Sequence, residues 1–315
     1  MRVFDQATTL RRIMQEAQST PPAGAVSKLQ NSQRELMGSF PTKAPRVITV
    51  TGGKGGVGKT LTTANLGLCF VREGMRTLVI DGDMGLANLD VVLNLRADST
   101  LDDVLSGDRE LKDVIVTGPE GLRLIPASSG MPKVSELGKM QKLVLLDQIE
   151  SIQDEFDVVL IDTPAGIAGN VQYWAASASE IMIVATPEPT SLADAYATMK
   201  VLSQTQLENN FKLIVNMAKN EEEAIRVFEK LSSVASEYLQ VRVDFVGHIP
   251  FCDSVRSSVR ERAPYVQRYP FSDASRGLRS IARNMLFNCE PPKPKGTMQF
   301  FWKRLVTGQH AEMIR

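Results

Sequence analysis

Cysteine is scarce in this chain: three in 315 residues, at Cys69, Cys252 and Cys289, far apart and with no CxxC pair. That spacing argues against a metal or iron–sulfur site built on paired thiols and places the chain in a reducing compartment. Histidine is scarcer still, and neither His248 nor His310 has metal-ligand or triad spacing. Neither sign of charge is in excess: 36 Lys+Arg balance 36 Asp+Glu, so no global basic field points to nucleic acid as a partner. No secretory leader opens the sequence at Met1-Arg2-Val3-Phe4-Asp5, and no apolar run reaches the length of a membrane span. The expectation is a cytoplasmic protein unless a local segment pins it to a surface.

What is present is a glycine loop in a telling place. The apolar run Val47-Ile48-Thr49-Val50-Thr51 leads into Gly52 and then Gly53-Lys54-Gly55-Gly56-Val57-Gly58-Lys59-Thr60, followed by the helical pattern from Leu61 to Leu68. Strand, glycine loop and helix in that order match G-x-x-x-x-G-K-[ST] over Gly53 to Thr60, where backbone N–H groups at a helix N-terminus cradle phosphates. In that template Lys59 neutralises the β- and γ-phosphates and Thr60 ligates Mg²⁺.

From Arg46 to about Phe287, apolar runs alternate with helical patterns. The expected fold is α/β, a doubly wound, mostly parallel sheet flanked by helices. Strands fall at Thr77–Ile80, Leu122–Ile125, Val158–Ile161, Ile181–Val184, Leu213–Val215 and Phe245–Ile249, with helices over Ser191–Gln204 and Glu221–Leu239. Ligands bind such sheets at the carboxyl ends of the strands, and there the acids Asp81, Asp83 and Asp162 occur. Asp162 ends a buried strand as a Walker B acid does, which assigns it to the Mg²⁺ shell, with Thr163 to Gly169 as switch II.

Lys54, a second lysine in the loop, is not required by the basic template. With it the chain resembles the ParA/MinD superfamily of P-loop ATPases, whose extra lysine reaches the partner's phosphates across an ATP-dependent homodimer. The resemblance implies ATP and Mg²⁺ as cofactors and slow, regulatory hydrolysis. It gives Asp83 the role of orienting the attacking water, with Asp81 supporting the metal shell or the loop geometry. Asp81-Gly82-Asp83-Met84-Gly85-Leu86-Ala87-Asn88-Leu89-Asp90 is similar to the family's switch I. Asn216 and Pro250 stand where the family holds adenine.

Both ends narrow the resemblance. Residues 1–20 carry helical spacing, and Phe4-Asp5-Gln6-Ala7-Thr8-Thr9-Leu10-Arg11 resembles the DQAxxLR motif of the FlhG (FleN/YlxH) family, MinD-like ATPases that set flagellar number. The resemblance implies that Asp5, Gln6, Ala7, Leu10 and Arg11 stimulate a signal-recognition-type GTPase, FlhF, and that some members restrain a flagellar transcription activator. A Pro/Ser/Gly/Gln-rich linker covers 21–45, the ATPase domain 46–289, and a proline-rich linker 290–296. In 297–310, Met298, Phe301, Trp302 and Leu305 recur at helical spacing beside Lys303 and Arg304, as in an interfacial helix for anionic membrane. The expected location is the cytoplasm, peripheral to the inner face of the membrane when ATP is bound. A division-site MinD, a DNA-partitioning ParA and an ATP-binding scaffold without turnover are the competing readings; the first is opposed by DQATTLR, the second by the neutral charge.

Overall fold

The computed structural model describes residues 45–83, 88–99, 101–126, 148, 152–166, 171–172, 174–175, 178–206 and 208–289. The activator segment, the proline-rich linker, the tail helix and nearly all of the first linker therefore lie outside the described residues.

Eight strands form one sheet: β1 (Arg46–Thr51), β2 (Thr77–Asp81), β3 (Val116–Thr117), β4 (Arg123–Ile125), β5 (Val158–Asp162), β6 (Glu180–Ala185), β7 (Asn210–Ala218) and β8 (Arg242–Pro250). Their order is β3-β4-β2-β5-β1-β6-β7-β8, and every pairing is parallel except the short β3 against β4. The helices are α1 (Lys59–Arg72), α2 (Leu89–Leu93), α3 (Leu101–Ser106), α4 (Leu111–Val114), α5 (Pro189–Gln206), α6 (Glu221–Leu239), α7 (Asp253–Arg260), α8 (Tyr265–Arg268) and α9 (Asp273–Arg283).

Strands buried on both faces need apolar residues at every position, and β2, β5 and β6 are buried throughout. On one face α1 and α9 bring Leu66, Phe70, Leu278 and Ile281 against Ile48, Val50 and Leu160. On the other, α5 and α6 bring Ala195, Met199, Val227 and Leu231 against Ile183, Phe211 and Leu213. Burying one such side chain fully stabilises by about 1.5–3 kcal/mol. Helix α6 starts where Asn220 accepts the Glu223 N–H at 2.9 Å, and Glu221, Glu222 and Glu223 in its first turn favour the positive end of the helix dipole.

Register decides where the chemistry falls. Val50 and Asp81 both pair with Asp162, so β1, β2 and β5 end level and deliver the glycine loop and two carboxylates to one edge. At the opposite edge the first residue of β1, Arg46, forms a buried ion pair with Glu180 that Lys212 joins at 3.4 Å. Arg46 also donates to the Met285 carbonyl at 2.5 Å, tying the start of β1 to the π-helical turn Asn284–Asn288 that follows α9. The Cys69 thiol is buried, which pushes it up to about 12 and leaves it inert at neutral pH.

Candidate nucleotide site

The loop between β1 and α1 turns on glycines for physical reasons. Gly56 and Gly58 hold φ of +83° and +91°, a region that side chains with Cβ rarely adopt. A methyl at Gly53 would come within 2.2 Å of the Asp194 carbonyl, and one at Gly58 within 2.3 Å of the Asn216 amide nitrogen. The loop is thus pressed between α5 and the end of β7. Helix α1 starts at Gly58 with no side-chain cap and no acid in its first turn. Its N-terminal N–H groups and dipole are left to an anion.

Around this cradle stand the lysines. Lys59 is 7% exposed, and its Nζ donates to the Lys54 carbonyl at 3.2 Å. Burial lowers its pKa, against the attraction of Asp162 and Asp83. The desolvated ammonium is therefore short of negative charge, which phosphate supplies. Lys54 is half-exposed; it meets Glu188 Oε2 at 2.9 Å and Thr190 Oγ1 at 3.2 Å, both at the start of α5.

The acids divide by partner. The Thr60 hydroxyl donates to Asp162 Oδ2 at 2.7 Å, and the Thr63 hydroxyl lies 3.2 Å from Oδ1. Burial pushes the Asp162 carboxyl up to about 7, with neighbouring Asp81 adding to the effect. Asp81 is raised to about 6 by burial, although it accepts backbone N–H bonds from Asp83 at 3.1 Å, Asn88 at 3.3 Å and Leu89 at 3.4 Å. Those bonds make Asp81 an anchor for the loop that carries Asp83 and for the start of α2. Hard oxygen donors, too much buried negative charge and an adjacent anion cradle suit Mg²⁺, which takes few protein ligands and completes its shell with water and phosphate. The donor set fits that ion.

At the far side, Leu61, Asn216, Met217, Pro250, Phe251 and Tyr265 line a small, largely apolar cavity of about 110 Å³. Asn216 does more than line it: its Nδ2 donates to the Val57 carbonyl at 2.7 Å, bracing the glycine loop from β7. Met217 adopts φ +58° beside a bulge in the β7–β8 pairing, which turns its side chain to the cavity mouth.

The structure thus brings together Gly53 to Thr60, Asp81, Asp83, Asp162, Asn216 and Pro250, drawn from β1, β2, β5, β7 and β8. His248 lies within β8, away from this cavity's lining. Residues 84–87 and 167–170, and both terminal motifs, fall outside the described residues. Three contacts were not read from the sequence. Thr63 could have been found as the hydroxyl one turn after Thr60; Glu188 and the packing of Trp174 join positions far apart in the chain and leave no local signal.

A phosphate cradle at the topological switch of a parallel sheet, with a lysine before it and acids on two neighbouring strands, defines a P-loop nucleotide hydrolase with the deviant two-lysine loop. Its relatives point the same way. An AAA domain model matches residues 45–215. The antiactivator FleN of Pseudomonas aeruginosa is 40% identical over 261 residues, covering 83% of this chain and 93% of that protein. The flagellum site-determining protein YlxH of Helicobacter pylori is 31% identical, covering 83% and 90%. Among solved structures, MinD in the MinC:MinD complex of Aquifex aeolicus has a TM-score of 0.63 at 30% identity, covering 80% of this chain and 99% of that one. The septum site-determining protein MinD with Mg-ADP from Pyrococcus horikoshii has 0.61 at 26%, covering 78% and 97%. The chain belongs to the FlhG (FleN/YlxH) family of MinD-like ATPases.

Proposed function

We propose that this ATPase is a nucleotide-timed switch that regulates flagellar number. The regulatory part of the reading is supported by the names of its relatives, an antiactivator and a flagellum site-determining protein. The observation that carries the switch is the Thr60–Asp162 hydrogen bond beneath an uncapped helix N-terminus. It unites the anion cradle with the end of β5, so that a bound nucleotide acts on both.

In this reading the N–H groups of Gly53 to Thr60 hold the phosphates, Lys59 neutralises them, and Asn216 and Pro250 border the base. Thr60 would ligate Mg²⁺ and Asp162 would hold its water shell; the ion, when bound, neutralises charge on the phosphate oxygens. Asp83 orients the water that attacks the γ-phosphorus as the bond to the bridging oxygen breaks. Asp81 keeps Asp83 in place through the loop. Lys54, held by Glu188 within one subunit, exchanges that partner for the phosphates of a second subunit. Dimerisation then places two tails on one particle, and Met298, Phe301, Trp302 and Leu305 bind the anionic cytoplasmic face of the membrane. Two linked anchors bind roughly 10²–10⁴-fold more tightly than one. Hydrolysis releases them.

Asp83→Ala is expected to bind ATP, stall before hydrolysis and sediment with anionic liposomes as a dimer, whereas wild type is released as ATP is consumed. A variant that stays monomeric with ATP on gel filtration would overturn the switch. The output is tested separately. A peptide of residues 1–20 is expected to raise the GTPase rate of an FlhF-type protein severalfold, by about ten or more if it supplies a catalytic group. The Gln6→Ala peptide should be inert, and equal rates with both peptides would remove the activator assignment.

A further inference from the structure

Trp174 is 3% exposed and has its indole against the backbone at the end of β2 rather than among aliphatic side chains alone. A methyl group at Gly82 would come within 2.8 Å of the indole Nε1, 3.1 Å of Cε2 and 2.5 Å of the Asp162 carbonyl. Gly82 also donates its N–H to that carbonyl at 2.8 Å. It is therefore in close contact with both the indole and the last residue of β5. Asp83 follows at once.

The other end of Trp174 is fixed as well. Its carbonyl accepts from the Thr49 hydroxyl on β1 at 3.1 Å and from the Ala178 N–H at 3.2 Å. Val171, Gln172, Trp174 and Ala175 are helical, and Val171 and Ala175 are buried beside it. A rigid ring packed on backbone passes on any displacement of its base, because close-packed interiors do not absorb it.

We propose that Trp174 is a positioning residue for Asp83: its indole holds Gly82 against the end of β5 and so fixes where the Asp83 carboxylate stands relative to Asp162 and the phosphate loop. The inference rests on the reading of Asp83 as the group that orients water. A glycine is needed at position 82 because the ring and the Asp162 carbonyl leave no room for a Cβ. The indole acts through backbone and does not touch the reacting atoms.

The 315-residue chain carries two tryptophans, Trp174 and Trp302, so Trp302→Phe makes Trp174 the sole tryptophan emitter. Without lipid, its emission is expected to resist acrylamide quenching in Mg-ADP and in a Mg-bound non-hydrolysable ATP analogue alike; ready quenching in either state would overturn the proposal. Trp174→Phe is expected to lower kcat by about tenfold or more, since a small misplacement of an orienting group has that effect. Its affinity for a fluorescent ATP analogue should stay within about twofold, the signature of a contact that matters only in the transition state. Unchanged kcat would overturn the inference, as would parallel loss of kcat, nucleotide affinity and melting temperature, which marks a mere core filler. Asp83→Asn separates the two readings. If it is inactive while Trp174→Phe keeps full turnover, the positioning role alone fails; if it keeps full turnover, the Asp83 reading fails and this one with it.

Discussion

Lys59→Ala is expected to weaken Mg-nucleotide binding by about a hundredfold or more and to leave the fold intact. The ammonium is buried and donates to the Lys54 carbonyl of the loop, so its full attraction for phosphate is gained only when nucleotide arrives. Removing one partner of such a desolvated charge pair costs about 3–5 kcal/mol, two to four decades in affinity. Stability moves differently. Burial places the folded pKa of Lys59 below its unfolded value, so the charged form is disfavoured in the fold, and ligand-free stability rises with pH through that window. Alanine removes this penalty, so the melting temperature without ligand should hold or rise at neutral pH. Calorimetric titration with ATP and a thermal melt read both effects. Unchanged ATP affinity would remove the phosphate-loop assignment.

Asp162→Asn is expected to stabilise the ligand-free protein at pH 8 while abolishing Mg-dependent turnover. The carboxyl titrates near 7 in the fold against a reference of 3.8, so the folded state holds its proton more tightly. Ligand-free stability therefore falls as pH rises from about 4 to 7 and levels off above. At about 1.4 kcal/mol per pH unit, the full difference is on the order of a few kcal/mol. Asparagine keeps the shape without the charge, so urea melts in EDTA should show the variant more stable than wild type at pH 8 and near parity at pH 4. Turnover should fall by at least about a hundredfold, the usual effect of losing one electrostatic element of a preorganised site. A variant less stable than wild type at pH 8 would show that the hydrogen bonds from Thr60 and Thr63 outweigh the buried charge.

The parallel strands of the sheet were legible because burial on both faces demands near-continuous apolar runs, as in Val158 to Ile161; the two-residue antiparallel β3 at Val116–Thr117 was not among the expected strands. The start of β8 was not: Arg242 and Asp244 pair with each other at 2.6 Å, and their charge hid the extension of the strand before Phe245. The glycine loop was readable because backbone geometry restricts the residue types, and positive φ at Gly56 and Gly58 gives the reason. Glu180 stands just before the expected strand Ile181–Val184 and is the first residue of β6. It is buried and meets Arg46 and Lys212 from two other strands, a pairing fixed by sheet order and not by neighbours in sequence. Asp81 was placed at the site, but its hydrogen bonds to the backbone of Asp83, Asn88 and Leu89 depend on a loop path that residue types alone do not specify.

The bond from Arg46 to the Met285 carbonyl bears on how this domain can be handled. The first residue of β1 and the start of the turn that follows α9 meet at the edge of the sheet opposite the glycine loop. Fusions and surface immobilisation at either boundary of the domain will therefore leave nucleotide access open. A short joint between residues 45 and 289, with new termini cut at the exposed turn at Gly107, should yield a circular permutant with the same sheet and the same phosphate cradle.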